Sequence, residues 1–140
     1  MIGILIISHG TLGESLIHCA SHMLNKRPPR LRQIGVTAQD DPVQLVPQAR
    51  KMIKELDEGD GVLVLTDMYG GSPSNIAAKL VIPGKIESVA GLNLPMLIRA
   101  LTYRDKSLQT MITKAISGGC EGVLRVPPAF TTVPNAATGS

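Results

Sequence analysis

The chain opens Met1-Ile-Gly-Ile-Leu-Ile-Ile-Ser8-His9-Gly10-Thr11-Leu-Gly-Glu14, and the fold is read from this stretch. Ile2 and residues 4–7 form a nearly continuous aliphatic run of strand length without polar alternation, which predicts a strand buried on both faces. The run stops at Ser8-His9-Gly10, so a histidine stands at the strand's carboxyl end. Thr11 followed three residues later by Glu14 has capping-box spacing and predicts a helix beginning directly after the turn. The unpaired N–H groups of such a helix start would favour an anion in the same corner.

Helical spacing of Leu12, Leu16, Cys19, Ala20 and Met23 carries this first helix to about Asn25, ahead of Pro28-Pro29. His18 and His22, four apart, could ligate a metal from one helix face, but they lie opposite the apolar stripe and read as a solvated face. Residues 31–37 make a mixed, outer strand. Asp41 then caps a helix with Pro42 at its first position, while Pro47 one turn inside predicts a kink or a delayed start.

Residues 61–67, Gly-Val-Leu-Val-Leu-Thr66-Asp67, are the second buried strand to end in a polar residue. In the following Met68-Tyr69-Gly70-Gly71-Ser72-Pro73-Ser74-Asn75, Gly70 and Gly71 permit close backbone approach, and Ser72 before Pro73 reads as a helix cap. A short helix over residues 76–81, a strand over 86–90, helices over 94–101 and 108–116 broken at Arg104-Asp105, and a final strand over 122–126 complete the pattern. One domain, residues 1–126, is expected, with residues 127–140 a disordered tail rich in Pro, Thr, Ala and Gly.

Strands alternating with helices predict an α/β, doubly wound sheet, and five strands fit the flavodoxin-like order 2-1-3-4-5. Crossovers from the first and third strands then leave on opposite faces, so His9 and Asp67 should meet in the crevice between those strands.

Composition narrows the function. Hydrophobic residues make 44% of the 140 and charged ones 18%, as in a packed globular protein. The charge of +3 is scattered, and Tyr69, Tyr103 and Phe130 are too few aromatics for stacking bases, which argues against nucleic acid. Cys19 and Cys120 fit reduced thiols, and no signal peptide or membrane span is read, so a cytoplasmic protein without metal or cofactor is expected.

A carboxylate that accepts from one imidazole nitrogen exposes the other as a nucleophile and stabilises the cation formed on attack, and Asp67 is placed to do this for His9. Thr11 and Ser72 add hydroxyls at helix starts. The Gly-x-x-x-x-Gly-Lys-Ser/Thr loop and the Gly-x-Gly-x-x-Gly pattern are both absent, so ATP as phosphate donor and a dinucleotide site are not indicated. Two other readings stay open. Ser72, His9 and Asp67 could form a hydrolase triad, although no Gly-x-Ser-x-Gly elbow surrounds Ser72, or the switch point could hold a nucleotide or flavin in a binding module.

Three blocks in order, the strand into Ser8-His9-Gly10, Leu65-Thr66-Asp67-Met-Tyr-Gly70-Gly71-Ser72-Pro73-Ser-Asn75, and Gly91-Leu-Asn93-Leu-Pro95-Met96, resemble one family. It is that of the enzyme IIA components of the mannose, fructose and sorbose type in the bacterial phosphoenolpyruvate-dependent sugar phosphotransferase system. The resemblance implies that His9 carries a phosphoryl group received from the phosphorylated histidine-containing phosphocarrier protein, with Asp67 orienting its ring. It implies that Thr66, Ser72 and the Asn93-Leu-Pro95 loop line the same pocket, to which the reading of the residues adds Thr11 and Gly71 as phosphate contacts. It further implies a 2-1-3-4-5 sheet with an antiparallel edge strand, a homodimer, and onward transfer to a separate enzyme IIB component or a regulatory target. Met68-Tyr69 and Ser74 stand where many relatives carry other apolar or aromatic residues, and are expected to alter partner fit more than chemistry.

Overall fold

The first strand, β1 (Gly3–His9), is buried along its whole length except for His9 itself. In a computed structural model, which describes residues 1–129, it forms the centre of a parallel sheet. β2 (Leu31–Val36) pairs on one side of it and β3 (Val62–Thr66) on the other, with β4 (Ile86–Ala90) beyond β3. The sheet therefore has four strands in the order 2-1-3-4.

Period-two alternation divides the aliphatic run of β1 between two cores. Ile4 and Ile6 join Ile17 and Ala20 of α1 (Leu12–Leu24), Leu97 and Ala100 of α4 (Leu94–Thr102), and Met111 and Ala115 of α5 (Leu108–Glu121). Leu5 and Ile7 face the other way, onto Ala49, Ile53 and Leu56 of α2 (Pro42–Leu56) and Ile76 and Ala77 of α3 (Ser72–Ala78). Burying each such isoleucine or leucine stabilises the fold by about 1.5–3 kcal/mol, so β1 is the element whose loss would cost most. With α1, which follows β1, and α3, which follows β3, on opposite faces, the carboxyl ends of β1 and β3 are left uncovered between them.

Several local readings hold, and others change for identifiable reasons. The first helix ends at Asn25 in the left-handed conformation, and Asp41 caps α2 by accepting from the Val43 amide at 3.0 Å. α2 runs through Pro47 without a break, because the proline lies in the second turn on an exposed face. The Thr11–Glu14 capping box does not form: Gly10 turns the chain at φ +55°, Thr11 has φ −96° and ψ 6°, and its side chain makes no cap bond. Ser72 is not the cap of α3 but its first residue; Gly71 is the cap. Residues 122–126, expected as a fifth strand, are irregular and exposed, so neither the five-strand order nor the antiparallel edge is present among the described residues. Apolar side chains alone do not make a strand: it needs an edge to pair with, and in the single chain these residues do not pair with β4, the outer strand. Most of the expected tail, residues 130–140, lies outside the described residues.

Arg104, expected only to interrupt two helices, is a buried anchor between α4 and α5. Its guanidinium donates to the carbonyl of Ile2 through Nε at 3.0 Å and Nη2 at 2.8 Å, to Pro29 at 2.6 Å and to Arg30 at 2.8 Å. Its own carbonyl accepts from the Ile2 amide at 3.0 Å. One side chain thus gathers the amino ends of β1 and β2 and the α4–α5 bend. Arg104→Met preserves the stem but removes these donors from the Ile2, Pro29 and Arg30 carbonyls, and urea denaturation should register a loss of about 3 kcal/mol. The His9 imidazole signals should not move, because Arg104 lies at the opposite end of the sheet.

Candidate functional site

The site is made where β1 and β3 end side by side. Their register pairs Ile7 with Thr66, so two further residues of β1 and one of β3 bring His9 and Asp67 together at the open end. His9 Nδ1 lies 2.8 Å from Asp67 Oδ2, and the same oxygen accepts from the His9 backbone amide at 2.9 Å. A carboxylate is an acceptor only, so Nδ1 carries the proton and Nε2 the lone pair. The ring is 53% exposed, whereas the Asp67 side chain is 9% exposed. The geometry therefore holds a nucleophilic nitrogen out toward solvent on a buried, charged support.

Burial works to raise the Asp67 pKa, but the hydrogen bonds from the His9 amide and imidazole outweigh it and hold the carboxyl below its ordinary value. Its second oxygen, Oδ1, is buried with no hydrogen-bond partner. Oδ2 is thus the oxygen through which the carboxylate holds both the amide and the ring of His9.

Gly71 closes the side of the ring that carries Nε2. A Cβ built at Gly71 would stand 3.1 Å from His9 Cε1 and 3.4 Å from Nε2, although its φ of −85° is open to any residue. Space, and not backbone conformation, is what glycine provides here. Behind the turn, the Gly10 amide donates to the Val36 carbonyl at 2.9 Å, and a Cβ at Gly35 would overlap the Gly10 carbonyl oxygen. Gly35 was not singled out by the sequence reading, yet a glycine within a strand is a signal of close backbone approach.

The remaining expected site residues are distributed unevenly. Thr66 is buried and its hydroxyl has no protein partner, while its carbonyl accepts from the Leu92 amide at 2.9 Å. Thr11 and Ser72 are exposed on the flanking helix starts, and neither hydroxyl bonds to His9. Asn93 is occupied structurally: Oδ1 accepts from the Met96 amide at 2.9 Å and Nδ2 donates to the Gly119 carbonyl at 3.1 Å. It caps α4 and ties it to α5, which leaves one amide hydrogen for any other partner. His18 and His22 are exposed on α1, and among the described residues no group of three or more potential ligands could hold a metal.

Neither alternative chemistry gains support. A triad needs the histidine bonded to the serine, and His9 bonds to Asp67 alone. A nucleotide or flavin needs an enclosing cavity, but the cavity of about 510 Å³ between α1 and α4 is lined by Met23, Leu94, Pro95, Ile98, Arg99, Thr102 and Tyr103, away from His9.

Comparison with known proteins places the chain in a family. The family described as "PTS system fructose IIA component" matches residues 3–116. A "PTS system mannose-specific EIIAB component" of Escherichia coli (strain K12) is 31% identical over 144 residues, covering 99% of this chain and 44% of that protein. The chain thus spans less than half the length of the curated relatives it matches first. A crystal structure of a phosphotransferase system EIIA component from Streptococcus agalactiae has a TM-score of 0.79 at 25% identity, covering 89% of this chain and 97% of that one. A mannose/sorbose-specific IIA subunit from Enterococcus faecalis shares the fold with a TM-score of 0.81 at 24% identity, over 94% and 98% of the two chains.

The depressed Asp67 pKa sets a pH dependence. A carboxylate with a folded pKa below its unfolded value contributes stability above the unfolded value, near pH 4, and loses it as pH falls through the folded one. Urea midpoints measured from pH 6 to pH 2 should fall for the wild type, and Asp67→Asn should be less stable at pH 6 with a shallower decline. Parallel curves for the two proteins would mean that the Asp67 charge does not support His9.

Proposed function

Because this chain belongs to the mannose- and fructose-type IIA family of the phosphotransferase system, we propose that it is a phosphocarrier whose phosphoryl group resides on Nε2 of His9. The observation that carries this reading is the 2.8 Å contact between Nδ1 and Asp67, which leaves Nε2 as the free nucleophile. The donor is the phosphorylated histidine-containing phosphocarrier protein, and the acceptor a separate enzyme IIB component or a regulatory target. In the forward step the Nε2 lone pair forms a bond to phosphorus while the donor's nitrogen–phosphorus bond breaks, and that electron pair returns to the donor imidazole. The His9 ring becomes cationic, and Asp67 offsets the charge through the proton it already binds. No proton need be supplied or removed, so the step runs equally in reverse.

In this reading Gly71 leaves room for the phosphoryl oxygens, Thr66 offers them a buried hydroxyl, and Thr11 and Ser72 offer exposed ones. Asn93 fixes the neighbouring loop and has one amide hydrogen to spare. No metal or organic cofactor takes part. The cytoplasm is the compartment this role would place the chain in, and among the described residues no helix is long and apolar enough to cross a membrane.

We also assign residues 122–126 to an antiparallel fifth strand on the free edge of β4, formed in a homodimer. Val123, Leu124 and Val126 are exposed in the single chain, and the edge of β4 carries unpaired backbone groups. Sedimentation should give a dimer for the full chain and a monomer when the apolar residues Val123, Leu124 and Val126 are replaced by serine.

Incubation with phosphoenolpyruvate, enzyme I and the phosphocarrier should add one phosphoryl group, labile in acid and stable in base. His9→Gln should take up none, and His18→Gln/His22→Gln the full amount. Asp67→Asn should slow transfer by several orders of magnitude, on the scale seen when a histidine's orienting carboxylate is neutralised. Gly71→Ala should slow it while leaving the fold intact. Acid-stable phosphate, or uptake by His9→Gln, would overturn the assignment.

A further inference from the structure

Ser8 ends an aliphatic run one residue before His9, and its side chain is fully buried. Among the described residues Ser8 Oγ has no hydrogen-bond partner, and neither has Gln33 Oε1 or Asp67 Oδ1. Buried orphan oxygens are unfavourable, and alanine would suit this strand better if packing were the only demand on the position. The three residues share one face of the sheet. Period-two alternation places Ser8 with Ile4 and Ile6, Gln33 with Leu31, and Asp67 with Leu63 and Leu65, all of which pack toward α1, α4 and α5. Gly35, the register partner of Ser8 on β2, has no side chain, and the Gln33 carboxamide folds over it, with Oε1 3.7 Å from a Cβ built there. A Cβ built at Gly13, in the first turn of α1, would stand 3.0 Å from Ser8 Oγ and 3.1 Å from Gln33 Oε1, so both oxygens converge beneath the helix. On the other flank Ile7 pairs with Thr66, and the next step along the two strands sets Ser8 beside Asp67.

Resting on the phosphocarrier reading, we infer that Ser8 is a positioning residue whose hydroxyl turns between two acceptors, Gln33 Oε1 and Asp67 Oδ1, and so sets how strongly Asp67 holds His9. An amide oxygen and a carboxylate oxygen accept only, so the hydrogen for which they compete is that of Ser8. A serine side chain passes between staggered rotamers without moving the backbone. Turned to Asp67, the hydroxyl stabilises the carboxylate, lowers its basicity and weakens its bond to Nδ1–H, so that it offers less to the cationic ring of phosphorylated His9. Turned to Gln33, it leaves the carboxylate at full strength for that ring. The choice between the two acceptors thereby tunes how readily His9 gives up its phosphoryl group. Thr66, whose hydroxyl is also unpartnered, lies by the same alternation on the opposite face with Val62 and Val64, and does not take this place.

Two substitutions push this balance in opposite directions. Ser8→Ala takes the hydrogen away from Asp67, so the His9 Nδ1–H proton resonance should move downfield. The equilibrium with the phosphorylated phosphocarrier protein should shift several-fold toward phosphorylated His9. Gln33→Met removes the competing acceptor at nearly constant side-chain length, so the resonance should move upfield and the equilibrium several-fold toward the carrier. The double variant should match Ser8→Ala, because Gln33 acts through Ser8. A merely structural role for either residue would not give shifts of opposite sign with this dependence. Shifts of the same sign, an unmoved resonance in Ser8→Ala, or a double variant in which the two shifts add would overturn the proposal. The resonance is read on the unphosphorylated protein and decides the role of Ser8 by itself. Failure of wild-type His9 to take phosphate from the carrier would overturn the phosphocarrier reading instead.

Discussion

A single carboxylate oxygen, Oδ2 of Asp67, receives both the backbone amide and the ring nitrogen of His9. The double contact fixes the ring's position through the main chain and its tautomer through the side chain. It is possible only because β1 and β3 are adjacent and parallel and end within two residues of each other. That adjacency rests in turn on β1 being apolar on both faces, since a strand with one polar face would be driven to an edge of the sheet.

The two ends of the sheet are held by different means. At the amino end, Arg104 distributes its donors over three carbonyls and keeps a charged group in a place where burial without such partners would be strongly unfavourable. At the carboxyl end, closeness is achieved by omission of side chains: Gly35 admits the Gly10 carbonyl, and Gly71 admits the His9 ring. Gly119 does the same for Met96, allowing α5 near enough for its carbonyl to meet Asn93. The first arrangement gives stability, and the second gives room where atoms must approach.

An exposed imidazole on a buried carboxylate suits exchange between proteins better than turnover of a small molecule. An enclosed pocket would exclude a second protein, whereas an open shelf lets two reacting rings face one another.

The sequence by itself determined the parallel α/β class, the central place of β1, the outer place of β2, the cap at Asp41, the end of the first helix near Asn25 and the pairing of His9 with Asp67. Those features follow from hydrophobic period, turn chemistry and crossover rules, all of which act over short spans of chain. Tertiary structure alone decided the rest. Thr11 and Ser72 have the composition of caps, but Thr11 stands at the cap position of α1 without a side-chain bond after the positive φ at Gly10, and the extended backbone at Gly71 makes that glycine the cap of α3 and Ser72 its first residue. Asn93 was legible as a site residue, yet its amide serves α4 and α5, because the approach of two helices distant in sequence placed the Gly119 carbonyl within reach. The composition of residues 122–126 could not supply the edge that a strand needs, and the anchoring role of Arg104 depends on carbonyls 74 to 102 positions away. Local pattern fixes what a segment prefers, while the partners that satisfy its polar groups are known only once distant segments have been brought together.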